Sequence, residues 1–277
     1  MTDTSTTETL VARDGTRLLV RRWAVEGTPW ATALIVHGLG EHSGRWEPVA
    51  SRMAAAGIAP SAYDHRGHGR SEGRRAHVDR WEQLLDDAED RLAASRVAGL
   101  PAILYGQSMG GLVCADHLLS GRPAPDLAVL SAPALGDTLN PLLRTLAPAL
   151  GRVAGTVELA NPFTPDQLSR DPKVGEAYAA DPLTLSRTTL RLGAGVVTAA
   201  DRVNRKVAAG TSLPCPTLVI HGEDDTIIPT ASTASLGAAP GAERRTYPGV
   251  RHEPHNDPDG EAIVDAAIAW LRAKARS

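Results

Sequence analysis

The stretch AILYGQSMGGLV, residues 102–113, constrains the fold of this chain more than any other. An apolar run from Ala102 to Tyr105 stops at Gly106, and one serine, Ser108, stands between Gln107 and Met109. Gly110 and Gly111 then lead into a second apolar run. A buried strand, a turn of small residues and a helix are expected in immediate succession. Gly106-Gln107-Ser108-Met109-Gly110 also fits G-x-S-x-G, in which a strained strand-to-helix turn lifts a serine hydroxyl above a sheet. Glycines around such a turn permit the close backbone approach it needs.

The flanking sequence supplies the rest of a sheet. LVARDGTRLLVRRW places Asp14-Gly15 between two strand-like runs and predicts a hairpin with a two-residue turn. ATALIVHG, IAPSAYDHRG, AILYG and DLAVLSAP read as further strands. Helical patterns separate them: WEPVASRMAAAG with Val49 and Met53 on one face, DRWEQLLDDAEDRLAASRV with Trp81, Leu84, Leu85, Ala88 and Leu92, and GGLVCADHLLSG. This alternation predicts an α/β fold with a mostly parallel sheet covered on both faces. The rhythm breaks between about Pro133 and Gly210, where helical segments and prolines occur without a convincing strand. Leu139, Leu142, Leu143, Leu146 and Leu150 recur there at helical spacing. CPTLVIHG and ERRTYPG resume the sheet, and EAIVDAAIAWLRAKA closes it with Ile263, Ala267 and Trp270 on one helical face. The expected organisation is a core of residues 1–132 and 211–277 with a helical cap and return helix, residues 133–210, inserted between them.

A chain of 277 residues suffices for one core of this kind. A formal charge of −3 with scattered basic residues leaves no footprint for nucleic acid. Two cysteines, Cys114 and Cys215, without a CxxC pair fit a reducing compartment, and Cys114 reads as a buried helical thiol. The polar start MTDTSTTETL lacks the apolar core of a signal peptide, and no apolar run reaches about 18 residues. A cytoplasmic location is the expectation.

A serine hydroxyl needs a base, and the base needs a carboxylate to orient it. In folds built around such a turn the order is serine, acid, histidine. Four of the nine histidines follow Ser108. His117 falls on the helix leaving the turn and His221 ends a strand, so His252 and His255 in GVRHEPHND compete for the role. Glu223, Asp224 and Asp225, directly after the strand in LVIHGEDDTIIP, compete as the acid. Met109, the residue after the nucleophile, supplies one backbone donor for the oxyanion, and a loop after an early strand supplies the other. His37, His65 and His68 invite a metal reading, but no ligand spacing accompanies them. They are expected to brace loops.

VHGLGEHSGRW, DHRGHGRSEG, GQSMGG, LSAPAL, LSRDP, HGEDDTIIP and YPGVRHEPHN, in this order, resemble the blocks of the monoacylglycerol lipases and serine hydrolases of the α/β-hydrolase superfamily. The resemblance runs over most of the chain. Its H-G-x-x-D block falls on His221 to Asp225 and implies Asp225 as the acid. Its Y-x-x-x-x-H block falls on Tyr247 to His252 and implies His252 as the base. It places the second oxyanion donor at the Leu39 amide, and a small polar pocket for glycerol hydroxyls at Glu41, Arg45 and His255. The implied activity is hydrolysis of carboxylic esters, foremost monoacylglycerols, through an acyl-enzyme on Ser108, with no metal or organic cofactor. General carboxylesterase and lysophospholipase activities fit the same triad. A non-catalytic ligand binder of the same fold would not need it. The leucine-rich cap is expected to act as a lid that lines the acyl site, Phe163 included, and touches membranes or lipid droplets.

Overall fold

Strand β3 (Ala31–Val36) shows how the sheet is built, because all of its residues are buried and their side chains alternate between two apolar layers. Leu34 and Val36 join one layer, Ala33 and Ile35 the other. This period of two is what a central strand covered on both faces requires. The computed structural model describes residues 5–136 and 141–276.

In chain order, β1 (Ser5–Val11) and β2 (Arg17–Trp23) form an antiparallel hairpin ahead of β3. After β3 come α1 (Glu47–Ala55), β4 (Ile58–Tyr63), α2 (Glu82–Ser95), β5 (Ala102–Gln107), α3 (Met109–Leu119) and β6 (Leu127–Ser131). The inserted segment carries α4 (Pro141–Val153), β7 (Glu158–Ala160), α5 (Pro172–Ala180), β8 (Arg187–Thr189) and α6 (Leu190–Ala208). The sheet resumes with β9 (Thr217–Gly222), a short α7 (Ala234–Gly237) and β10 (Ala242–Tyr247), and α8 (Gly260–Lys274) follows. The eight-stranded order is β1-β2-β4-β3-β5-β6-β9-β10, with the β1–β2 and β2–β4 pairs antiparallel and every other pair parallel.

The helices cover the two faces through the residues their spacing picks out. Val49 and Met53 of α1 are buried with Ile263, Ala267 and Trp270 of α8 in one layer. Leu84, Leu85 and Leu92 of α2 and Leu112 and Val113 of α3 lie in the other. That second layer also takes Leu192, Val203 and Val207 of α6, which packs on α3 and carries α4 on its outer side.

Two expectations need correction. Val11 pairs with Arg17, so the first hairpin is closed by residues 12–16 rather than by a two-residue turn. Asp14, its side chain 40% exposed, accepts from the Thr16 amide at 3.1 Å and pairs with Arg66 at 2.6 Å. The inserted segment also contains strands. β7 and β8 form an antiparallel ribbon, Glu158 opposite Thr189 and Ala160 opposite Arg187. Three residues each are too few to display an alternation. Helix α4 forms despite Pro148 in its interior, where the missing N–H forfeits one backbone bond. Leu139 lies outside the described residues.

Candidate active site

The serine turn lies at the end of β5, where the parallel strands deliver their carboxyl ends. Ser108 links β5 to α3 with φ 52° and ψ −118°, a conformation that a residue with a side chain rarely adopts. Backbone held this way costs on the order of 1–3 kcal/mol and persists only where its surroundings fix it. Here the Ser108 N–H donates to Ser131 O at 3.0 Å, and Ser108 O accepts from Leu112 and Ala134. The neighbouring glycines have no room for a side chain. A Cβ on Gly106 would meet Cys114 Sγ at 2.5 Å, and one on Gly110 would meet Val36 O at 2.1 Å.

The hydroxyl raised by this turn meets His252, which follows the loop after β10. Ser108 Oγ is 2.9 Å from His252 Nε2, and His252 Nδ1 is 2.8 Å from Asp225 Oδ2. Asp225 lies on the loop after β9, its side chain fully buried, while Asp224 beside it is exposed. The Asp225 Oδ1 atom accepts from the Ile227 and Ile228 amides at 2.9 Å each, and Oδ2 is also 3.0 Å from His221 Nε2. Burial would raise the Asp225 pKa, but His252, His221 and the Ile228 amide outweigh it and hold the carboxyl far below its usual range. Burial likewise disfavours the His252 cation, yet Asp225, Glu253 and Glu41 together lift its pKa above the ordinary 6.5. A carboxylate on Nδ1 fixes the proton there and leaves Nε2 free to accept from the serine.

Leu39 and Met109 flank this hydroxyl on the wall of the same cavity. Met109 opens α3, so its N–H is one of the helix's unbonded first-turn donors. The Leu39 N–H belongs to the Gly38–Leu39 peptide, whose carbonyl is held by His37 Nδ1 at 2.8 Å. The two ends of a planar peptide point in opposite directions, so this N–H is turned away from His37. The His37 ring has no freedom to let go. Its Nε2 accepts the His65 N–H at 2.9 Å, which leaves Nδ1 as the donor. His65 Nε2 in turn lies 3.1 Å from His37 O, and His68 Nδ1 lies 3.1 Å from Arg66 O. Each of the three histidines therefore ties at least one ring nitrogen to the loop backbone. Among the described residues no group of His, Cys, Asp and Glu is arranged to hold a metal.

Glu41 and His255 are buried and Arg45 is partly buried, and of the three Glu41 lines the cavity. Arg45 sits behind it, with Nη1 3.1 Å from Glu41 Oε2 and 2.7 Å from Glu253 Oε1, and Nη2 2.8 Å from Glu253 Oε2. His255 stacks on Trp46 with ring centres 4.3 Å apart, and burial pushes its pKa down to about 4. Arg45 and His255 are thus engaged with Glu41, Glu253 and Trp46 beside the cavity wall. Glu253, which carries no motif in the sequence, also lines the cavity. Arg45 counters its burial and draws its pKa down to about 2. Its one sequence signal is an acidic side chain directly after the base. His221, set aside as a strand end, also proves to touch the triad carboxylate.

The cavity measures about 270 Å³ and is lined by Ser108 and His252. Phe163, Leu168, Val197 and Ile228 also line it, as do Leu150 and Leu159, which are 38% and 52% exposed. The polar wall at Glu41 and Glu253 lies near the nucleophile, and the apolar wall comes mostly from the inserted segment.

Known proteins are similar to this chain in sequence and fold. A family described as serine aminopeptidase, S33 (Hydrolase_4) matches residues 27–259. The chain is 33% identical over 265 residues to the monoacylglycerol lipase of Mycolicibacterium smegmatis, covering 93% of both chains. It is 31% identical to the human monoglyceride lipase, covering 90% of this chain and 84% of that one. The crystal structure of the Paleococcus ferrophilus monoacylglycerol lipase superposes with a TM-score of 0.83 at 28% identity, over 93% of this chain and 99% of that one. With its strand order, its serine turn and a family match spanning most of its length, the chain is a hydrolase with the α/β-hydrolase fold and belongs to the serine aminopeptidase S33 family.

Proposed function

We propose that this enzyme hydrolyses monoacylglycerols to a fatty acid and glycerol through an acyl-enzyme on Ser108. The observation that carries the reading is the Ser108–His252–Asp225 chain of hydrogen bonds beside a cavity with a carboxylate-lined end and a long apolar wall. The acyl chain lies along the apolar wall, and the glycerol faces Glu41 and Glu253. Ser108 Oγ attacks the ester carbonyl carbon while His252 Nε2 takes the hydroxyl proton. The Leu39 and Met109 amides meet the negative charge that develops on the carbonyl oxygen. Asp225 holds the imidazole in its reactive tautomer and stabilises the cation. The tetrahedral intermediate collapses, and the C–O bond to glycerol breaks as His252 returns the proton to the leaving oxygen. Water then attacks the acyl-enzyme with His252 again as base, releasing the fatty acid and restoring Ser108.

In this reading residues 133–210 form the cap, and 1–132 with 211–277 the catalytic core. Leu142, Leu146 and Val153 on α4 are 67%, 43% and 90% exposed beside the cavity mouth. They suit contact with the lipid surface that holds such a substrate. Among the described residues no helix is long and apolar enough to cross a membrane.

The test is kcat/KM on one fatty acid presented as monoacylglycerol, triacylglycerol, lysophospholipid and methyl ester. Monoacylglycerol is expected to lead. Buried carboxylates that find no hydroxyl penalise the methyl ester, and bulk penalises the triacylglycerol. Glu41→Ala is expected to narrow the gap to the methyl ester several-fold, as the loss of about one hydrogen bond implies. Equal rates on all four esters would reduce the function to general carboxylesterase, and a lead for the lysophospholipid would redirect it. Failure of a fluorophosphonate probe to label Ser108 would make the protein a ligand binder.

A further inference from the structure

The oxyanion loop of this chain is not held by the core alone. Leu39 is flanked by two glycines. Gly38 is pinned from the core, its carbonyl by His37 and its N–H by Glu41 Oε1 at 2.5 Å. Gly40 is pinned from the inserted segment. Its carbonyl accepts the Leu185 N–H at 2.8 Å and lies 3.0 Å from the Tyr178 hydroxyl, whose proton is shared with Leu185 O at 3.2 Å. Gly40 has φ +76°, and a Cβ there would stand 2.5 Å from the Tyr178 hydroxyl and 2.6 Å from Leu185 O. The loop therefore gives up a side chain at this position so that the segment can dock.

The docking extends along the loop. His42 Nδ1 accepts the Gly44 N–H at 3.1 Å, which leaves Nε2 to donate to Asp181, the C-cap of α5, at 2.8 Å. The Arg45 guanidinium lies over the Tyr178 ring, 4.9 Å from its centre. Residues 178–185 thus grip residues 40–45 through backbone, an imidazole–carboxylate pair and a cation–ring contact. Tyr178 also lines the cavity, but none of these contacts is made to Ser108 or His252. All of them fix the two peptides beyond the Leu39 N–H.

We infer that Tyr178 and Asp181 are positioning residues for the oxyanion hole, so that the donor at Leu39 is aligned only when the α5 end of the inserted segment is seated on the loop. The inference rests on the reading of Leu39 as an oxyanion donor. It divides the segment by role: α4 borders the entrance to the cavity, whereas α5 completes the machinery for charge stabilisation. An aligned donor acts on the transition state and not on the bound ester, so its loss appears in kcat and leaves KM in place.

The experiment uses the full chain and a short, water-soluble nitrophenyl ester, which makes little use of the apolar wall. Tyr178→Phe keeps the ring over Arg45 and removes only the hydroxyl. It is expected to lower kcat about three- to tenfold, the size of one hydrogen bond, with KM and melting temperature unchanged. Binding of a boronic acid that forms a tetrahedral adduct on Ser108 is expected to weaken by the same factor, and binding of the fatty-acid product is not. Asp181→Ala, at a more exposed position, is expected to repeat the pattern and stands in should Tyr178→Phe fail to fold. An unchanged kcat in both variants, or a rise in KM alone, overturns the inference. An inactive wild type would overturn the esterase reading itself, which this comparison of variants does not test.

Discussion

The serine turn and the α4 face of the inserted segment are built on opposite terms. Around Ser108 every nearby atom is committed: glycines without room for a Cβ, a strained backbone held at both ends, and a carboxylate with four hydrogen-bond partners. On α4 and β7, Leu142, Leu146, Val153 and Leu159 are exposed, and a proline sits inside the helix. Chemistry demands sub-ångström placement, which only a packed core supplies. Capture of an amphiphile demands apolar surface open at one edge, which a packed core excludes. Variants near the turn should therefore impair every substrate alike, and variants on α4 and β7 should discriminate among substrates.

The largest expected effect is at the nucleophile. Ser108→Ala is predicted to reduce turnover by about 10⁶-fold on long and short esters alike, with an unchanged melting temperature. Near wild-type hydrolysis of either ester by the purified variant would remove the serine from its assigned place. Next comes the acid. Asp225→Asn is predicted to lower kcat by about 10⁴-fold, because an amide favours the wrong imidazole tautomer. Asp224→Asn, on an exposed side chain, is predicted to change little. Similar mild losses in both would erase the difference between a committed position and its exposed neighbour.

The contrast sharpens with Leu159→Ser, which alters the mouth of the cavity. With about 0.8 kcal/mol per buried methylene, losing contact with one or two of them should cut kcat/KM on a long-chain ester roughly tenfold and leave a butyrate ester nearly untouched. Equal losses on both esters would mean that this edge is structural. The smallest effect is electrostatic. His252 works as a base only when neutral, so kcat/KM should fall as pH drops through its raised pKa. Burial pulls that pKa down, and Asp225, Glu253 and Glu41 pull it up. Glu253→Gln removes one of the upward influences, so the acid limb should shift to lower pH by a fraction of a unit up to about one. A limb that stays in place, or moves to higher pH, would show that Glu253 serves only to hold Arg45.

Both hairpin arms, the central strands, their covering helices and the strand–turn–helix at Ser108 follow from local periodicity. Asp225 and His252 required the added likeness to known family blocks, since spacing alone left three carboxylates and two histidines open. β7 and β8 escaped notice because three-residue strands carry no alternation, and their pairing joins Glu158 to Thr189. The partners of Arg45 and His255 are illegible in the sequence for a related reason. Arg45 is spoken for by Glu253, 208 positions away, and His255 by the Trp46 ring.

By itself the sequence determined what nearest neighbours along the chain can decide. Dihedral freedom and side-chain size placed the turn at Gly106–Gly110, and short apolar runs marked the strands that are buried on both faces. The tertiary structure alone decided which groups share a site: Glu253 on Arg45, 208 positions apart, and Tyr178 on Gly40, 138 positions apart. Such partners meet only after long loops have closed. The cost of closing a loop grows slowly with its length, so sequence separation carries almost no information about which distant residues will touch.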